Sequence, residues 1–293
     1  MSNKKKSRNR TIKKAAASSQ AAQKNHVDQT KKQVVQEKAD PKVQPARPKM
    51  TVDEEACYGR RFSRHFDELK WLYMELYDNS SMFAELCDNL HRFYEERNLD
   101  LKTRDLEREK DPEWYKTNEM LGMMFYIDNF AGNIKGVESK LDYIEKSNVN
   151  YIHLMPFLDT VEGRSDGGYA VADFRKVQKK LGTMEDLEDL TAACHKKDIS
   201  VCMDFVMNHT ASTHRWAMAA KAGDPWFQAY YHLYEDRTIP DQYEQTVPQV
   251  FPNTAPGNFT WCEEMHKWVL TTFHDYQWDL NYANPAVFVD MTK

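Results

Sequence analysis

The sequence reads as an α/β chain: parallel β-α-β units, preceded by a small helical domain and followed by an irregular, aromatic-rich segment. Three observations predict this class. Residues 121–128, 149–157 and 199–206 are short apolar runs suited to strands buried on both faces. Amphipathic helical patterns fill the two gaps between them, and that alternation calls for parallel pairing through right-handed crossovers. Upstream, apolar residues recur at steps of three and four; downstream, residues 210–283 abandon both periods and are crowded with Trp, Tyr and Phe.

The elements follow in order. Residues 1–50 hold fourteen Lys/Arg against three Asp/Glu, net +11, with no Phe, Trp, Tyr or Gly. Such a segment cannot bury enough apolar area to offset its ordering entropy, so a disordered basic tail is expected. Lys4-Lys5-Lys6-Ser7-Arg8 admits a nucleic-acid or localisation reading. No aromatics interleave these charges as base stacking would need, so a solvated leader or a contact with the acidic body is preferred, and no nucleic-acid partner is expected. The other 243 residues carry 26 basic and 42 acidic groups, net −16.

Residues 51–118 read as the helical domain. Phe62, Phe66, Leu69, Tyr73 and Leu76 form the apolar stripe of a first helix. Ser80 and Ser81 offer caps for a second, with Phe83, Leu86, Leu90 and Phe93 inward. A more polar third helix is expected near 100–109, and Asp111-Pro112 reads as an N-cap followed by proline in the first turn. Residues 119–209 carry the strands. Ile134, Val137, Leu141 and Ile144 mark one face of the first crossover helix, and Thr183 with Asp186 opens the second as a capping box. Residues 210–283 form the excursion. Asn284-Pro285 then caps a last helix, with Val287, Phe288 and Met291 pointing one way.

Composition excludes several classes. Apolar residues at 41% and aromatics at 12% are enough for a sizeable core. No apolar run approaches the ~20 residues of a membrane helix, and the basic N-terminus lacks the apolar stretch of a secretory signal. Five cysteines, odd in number and without a CxxC pair, indicate neither a disulfide framework nor a zinc ribbon; reduced thiols in a cytoplasmic protein are expected. No GxGxxG, Walker, GxSxG, HExxH or EF-hand spacing occurs, so no cofactor is expected. His209, His214 and His232 match no metal template, and no metal is expected.

In parallel α/β architectures ligands gather beyond the carboxyl ends of the strands. Those ends offer Asp128; then Asp159 and Ser165-Asp166-Gly167-Gly168-Tyr169; then residues 204–209. Asp166, Tyr169 and His209 suit a neutral polyol. A carboxylate accepts hydroxyl hydrogen bonds, an imidazole bonds a primary hydroxyl, and an aromatic plane stacks on a pyranose. A capping Asp and a core Tyr would look the same from spacing alone.

The segments FYIDNFAGN (125–133), YIHLMPFLD (151–159), SDGGYAV (165–171), DFVMNH (204–209) and QWDLNYANP (277–285) stand in this order. Together they resemble glycoside hydrolase family 13, most closely its amylosucrase branch, over residues 58–293. The resemblance implies the N-terminal part of a (β/α)8 TIM barrel, strands 1–3, with a domain B lobe after strand 3. It implies that Asp166 holds the nonreducing glucose hydroxyls, that Tyr169 stacks beneath that ring, and that His209 steadies glucose in the reacting subsite. Asp204 and Asn208 match largely structural positions; related amylases use that Asn for calcium, and amylosucrases generally do without. Phe273, Gln277 and Asp279 lie where the lobe returns to the barrel and are expected at the cleft. His153 is expected to pack inside the barrel wall.

Sucrose or an α-glucan is the implied substrate, and retaining glucosyl transfer or hydrolysis the implied reaction. That chemistry needs two carboxylates ~5 Å apart. In the family they follow strands four and five, so they are expected beyond Lys293, and the chain by itself is expected to be an inactive N-terminal fragment. The alternative is a noncatalytic, sugar-binding or non-functional product. Such a fragment is also expected to leave the apolar face of its last helix uncovered.

Overall fold

The computed structural model describes residues 50–293; the expectations for the basic tail lie outside the described residues. Helix α1 (Val52–Tyr77) starts at a capping box in which Thr51 Oγ1 accepts the Glu54 N–H and the Glu54 carboxylate accepts the Thr51 N–H. Helix α2 (Ser80–Glu96) is capped by Asn79, whose side chain accepts the Met82 N–H at 3.1 Å, rather than by Ser80 or Ser81. Asn79 is the residue with extended backbone, which an N-cap requires. Phe66 and Leu69 on α1 pack with the buried Tyr73, Phe83 and Leu86. Leu76, expected on that face, is 74% exposed, and Tyr77 packs there in its place.

Helix α3 (Leu99–Arg108) forms as expected, but none starts at Pro112. Asp111 instead accepts the Glu113 N–H at 3.2 Å, closing a local turn ahead of a short 3-10 stretch at Trp114–Lys116.

Strand β1 (Gly122–Phe125) is shorter than expected, because Ile127–Ala131 already forms a helical turn, α4. The crossover that follows is two short helices, α5 (Ile134–Ser139) and α6 (Leu141–Lys146). Strand β2 (Tyr151–Leu154) leads into a hairpin of β3 (Leu158–Thr160) and β4 (Val171–Val177), where the sequence suggested only loop. Helix α7 (Met184–Lys196) opens with the anticipated Thr183–Asp186 box, and β5 (Ser200–Met203) follows.

The three long-range strands pair in parallel in the order β1-β2-β5, with Met123 opposite Ile152 and Ile152 opposite Val201. Ile152 and Leu154 are fully buried against Ile134, Ile144 and Leu190 from the crossover helices. The opposite face is not buried as expected: Met124 is 65% exposed and His153 half-buried. Among the described residues, the crossover helices form a layer on one face only.

Residues 209–279 are more regular than their sequence suggests. Strand β6 (His209–Ala211) will pair with a strand near the end of the segment. Helices α8 (Arg215–Lys221) and α9 (Pro225–Gln228) come next. A three-stranded antiparallel sheet, β7 (Leu233–Tyr234), β8 (Phe259–Cys262) and β9 (Lys267–Leu270), is interrupted by helix α10 (Thr238–Tyr243). Strand β10 (Gln277–Asp279) then returns antiparallel to β6, with Trp278 opposite Thr210. Strands of two to four residues are too short to show alternation. They are held by a core of Trp216, Tyr230, Tyr231, Val269 and Trp278.

Helix α11 (Pro285–Met291) is capped by Asn284, which accepts the Ala286 N–H at 3.0 Å. Its apolar face is covered, against expectation. Val289 is buried with Tyr73, Phe83 and Leu86, while Ala286, Val287 and Met291 join the core around Trp278. The helical domain thus supplies cover that a reading of the sheet by itself could not foresee.

Candidate functional site

The hairpin between β3 and β4 builds one wall of the site. Asp166, Gly167 and Gly168 all have left-handed backbone, with φ of 48°, 65° and 100°. A Cβ on Gly168 would stand 2.6 Å from the Pro156 carbonyl oxygen, so only glycine lets this loop lie against the end of β2. Asp tolerates the left-handed region better than most residues. Ser165 O ties the loop by accepting the N–H groups of Gly168 and Ala170 at 3.0 and 2.9 Å.

The β6–β10 pairing brings in the other wall. Gln277 is fully buried; its Oε1 accepts the His274 N–H at 2.9 Å, which orients its amide nitrogen to donate to Asp166 Oδ2 at 3.1 Å. His209 is buried beside it. Its Nε2 lies 3.1 Å from Tyr169 O, and its Nδ1 lies 3.2 Å from the Asn208 amide nitrogen. A ring with the proton on Nε2 donates to Tyr169 O and accepts from Asn208; the Gln277 amide nitrogen, 3.1 Å from the same Nε2, then finds no acceptor on the ring and donates to Asp166 instead. Burial pushes the His209 pKa down, which keeps the ring neutral near pH 7.

Aromatic rings close the cluster. Phe273 packs on His209 with centroids 5.1 Å apart and planes tilted by 55°. Tyr169 is half-buried and donates its hydroxyl to Asp204 Oδ2 at 2.9 Å. Burial first, and then the Asp204 carboxylate, raise the Tyr169 pKa to about 12, so the phenol remains a donor.

Asp166, Tyr169, His209, Phe273 and Gln277 are therefore brought together from segments more than a hundred positions apart. Other anticipated positions behave differently. Asp279 is buried and turned inward: it accepts the Thr272 N–H and hydroxyl at 2.7 and 2.9 Å and the Asn208 amide at 2.8 Å. Asp128 pairs with Lys180 at 2.8 Å on the rim of a cavity of about 180 Å³ shared with Tyr126, Ser165 and Gly167. Asp159 lies on β3 opposite Asp173. His214 instead caps α8, accepting the Trp216 N–H, and packs edge-on against Phe174 and Trp216. Among the described residues no group of His, Cys, Asp or Glu is placed to hold a metal ion.

Two histidines stand differently from what the sequence indicates. His274 sits with Nε2 3.7 Å from Asp166 Oδ1, stacked between Phe251 and Tyr276. Its signal was its place between Phe273 and Gln277. His153 does not point into packed core; it is half-buried, 3.8 Å from Asp204.

Residues 61–293 match the family model described as alpha amylase, catalytic domain. The chain belongs to the alpha-amylase family. Within this family it is 32% identical over 183 residues to a trehalose synthase of Pimelobacter sp. (strain R48), covering 61% of this chain and 31% of that protein. It is 34% identical over 158 residues to the amino acid transporter heavy chain SLC3A1 of Homo sapiens, covering 53% and 22%. Among solved structures it is similar to an isomaltulose synthase mutant from Erwinia rhapontici NX5 in complex with its natural substrate sucrose. That match has a TM-score of 0.53, 27% identity, and covers 61% of this chain and 32% of the other. This alpha-amylase family chain thus spans about a third or less of the length of these relatives.

Proposed function

We propose that the cluster of Asp166, Tyr169, His209, Phe273 and Gln277 holds the nonreducing glucosyl unit of sucrose or a short α-glucan, in an amylosucrase-like enzyme performing retaining glucosyl transfer or hydrolysis. The observation that carries this reading is the convergence on one half-buried carboxylate, Asp166, of a buried amide at 3.1 Å, with a neutral imidazole and two aromatic rings beside them. A carboxylate takes hydroxyl donors and ring faces cover the apolar side of a pyranose, while the neutral His209 ring, its nitrogens engaged by Tyr169 O and Asn208, holds the wall in place without adding charge. Gln277 orients Asp166 through Oδ2, and Oδ1, with His274 Nε2 3.7 Å away and beyond hydrogen-bond distance, is the oxygen offered to a sugar. The sucrose complex of the isomaltulose synthase supports this substrate class. None of the five residues is assigned to bond cleavage, which needs its own carboxylate pair. The five cysteines, all free, suit a cytoplasmic setting, and among the described residues no helix is long and apolar enough to cross a membrane.

Titration calorimetry of the chain with sucrose, maltose and glucose tests the binding. Saturable binding lost in Asp166→Asn supports the assignment; equal binding by the variant overturns it. A second reading is a noncatalytic sugar-binding module, which would use the same five-residue cluster, none of it assigned to bond cleavage. Sucrose binding by the whole gene product without release of glucose or fructose would select it.

A further inference from the structure

Away from this site, α3 and α7 enclose a cavity of about 360 Å³ beside the start of β5, within the size range of small-ligand pockets. Arg97, Arg104 and Arg108 line it from α3 and its lead-in, with one carboxylate, Asp105, between them; His195 and Thr191 line it from α7, and Ser200 from β5. Its floor is apolar, formed in part by Phe157, Leu187 and Val201. Two of the guanidiniums are engaged. Arg97 holds Asp105 through two hydrogen bonds of 2.8 and 2.9 Å, and Arg104 meets Asp198 at 2.6 Å, although that carboxylate is 93% exposed and well screened.

Arg108 is different. Its guanidinium lies 3.9 Å from the centre of the Trp114 ring and donates to Ser200 Oγ at 2.7 Å. Among the described residues it makes no ion pair with a carboxylate. Burial and the neighbouring guanidiniums of Arg104 and Arg97 lower its pKa, against the pull of Asp105 and Asp198. His195 is lowered by burial and by the same three arginines, with Asp100 opposing. Like charges gathered beside a half-buried cavity repel one another, and an anion between them would relieve that repulsion. A second cavity, of about 310 Å³, lies on the other side of Arg104 and Arg108, but Glu107, Asp111 and Glu119 line it and disfavour an anion there.

We propose that the cavity between α3 and α7 is a binding site for a phosphate-type oxyanion, free or carried on a small sugar, with Arg108 as its principal partner. Arg108 is fixed by the Trp114 face and Ser200, so little side-chain entropy is lost on binding. Arg104 and His195 flank the oxyanion, and Thr191, whose hydroxyl donates to Glu188 O at 2.9 Å, forms part of the wall. The apolar floor would lie under the body of a sugar phosphate. The site stands apart from the Asp166 cluster and does not depend on its assignment.

Calorimetric titration of the chain with inorganic phosphate, glucose 6-phosphate and glucose tests this. Saturable binding of either phosphate compound, absent with glucose and weakened by added salt, is expected. Tighter binding of glucose 6-phosphate assigns the site to a sugar phosphate; equal affinity assigns it to the free oxyanion. Arg108→Ala should weaken binding at least tenfold. Because that variant also disturbs the Trp114 packing, Thr191→Glu, which puts a carboxylate in the cavity and leaves Arg108 in place, should abolish binding with the circular dichroism spectrum unchanged. No heat with either phosphate compound, or undiminished binding by folded Thr191→Glu, overturns the proposal.

Discussion

The Gln277 amide donates to Asp166 Oδ2 at 3.1 Å although the two residues stand 111 positions apart. This bond joins the β3–β4 hairpin to strand β10, so the carboxylate is oriented only when both pieces are folded. Asp166→Asn tolerates the left-handed backbone but removes the charge. Its affinity for sucrose or glucose should fall by about 1.5–3 kcal/mol, the range for hydrogen bonds to charged groups. Calorimetry with unchanged circular dichroism checks this, and near-parental affinity would remove Asp166 from the site.

Gln277→Leu should cost stability as well as binding. It leaves the His274 N–H without its acceptor and Asp166 without its buried donor. A loss of about 1–3 kcal/mol is expected for such orphaned groups. The urea midpoint measures it, and a variant as stable as the parent would mean that water serves both groups equally well.

Gly168→Ala should be more disruptive than its size suggests. The added Cβ meets Pro156 O at 2.6 Å, and the residue must keep φ near 100°. Gly163, at φ 76° with open space around it, isolates the backbone cost alone. Thermal unfolding of the two alanine variants should show the larger drop at 168, with sugar affinity reduced only there. Equal drops would show that the contact with Pro156 is soft.

Acid should destabilise the protein before its carboxylates titrate. Burial lowers the His214 pKa from 6.5 to about 3, and His209 and His232 shift the same way. Below about pH 6.5 the unfolded chain binds protons that the folded chain refuses, so stability is complete above that pH and falls as pH drops towards the folded values. One such histidine contributes a slope of about 1.4 kcal/mol per pH unit. Glu54, lowered to about 2, adds its loss only below its unfolded value of 4.5. Urea midpoints between pH 7 and 5 should therefore fall, and fall less steeply in His214→Gln. Parallel curves for parent and variant would reject His214 as a source.

Val289→Asp places a carboxylate among Tyr73, Phe83 and Leu86. Burying an unpaired charge there should cost more than about 2 kcal/mol or release α11 from α2. Limited proteolysis should then cut within 284–293 in the variant and not in the parent. Protection of both would show that α11 is held by its other contacts, around Trp278.

The local elements and the available chemistry are legible in the linear order of residues. Capping residues such as Thr183, the apolar faces of Ile134 and Leu190, and the three parallel strands follow from nearest-neighbour physics, which a linear reading captures. The SDGGY loop and His209 were also legible, because their residue types and order resemble a family pattern. Tertiary structure decided the rest. It turned Asp279 inward to Thr272 and His153 towards Asp204, and it placed His274 beside Asp166. It also folded residues 209–279 into short strands and covered α11 with α2. These depend on which distant surfaces meet. A side chain's partners across a hundred residues are set by packing and hydrogen-bond satisfaction in three dimensions, which no local periodicity encodes.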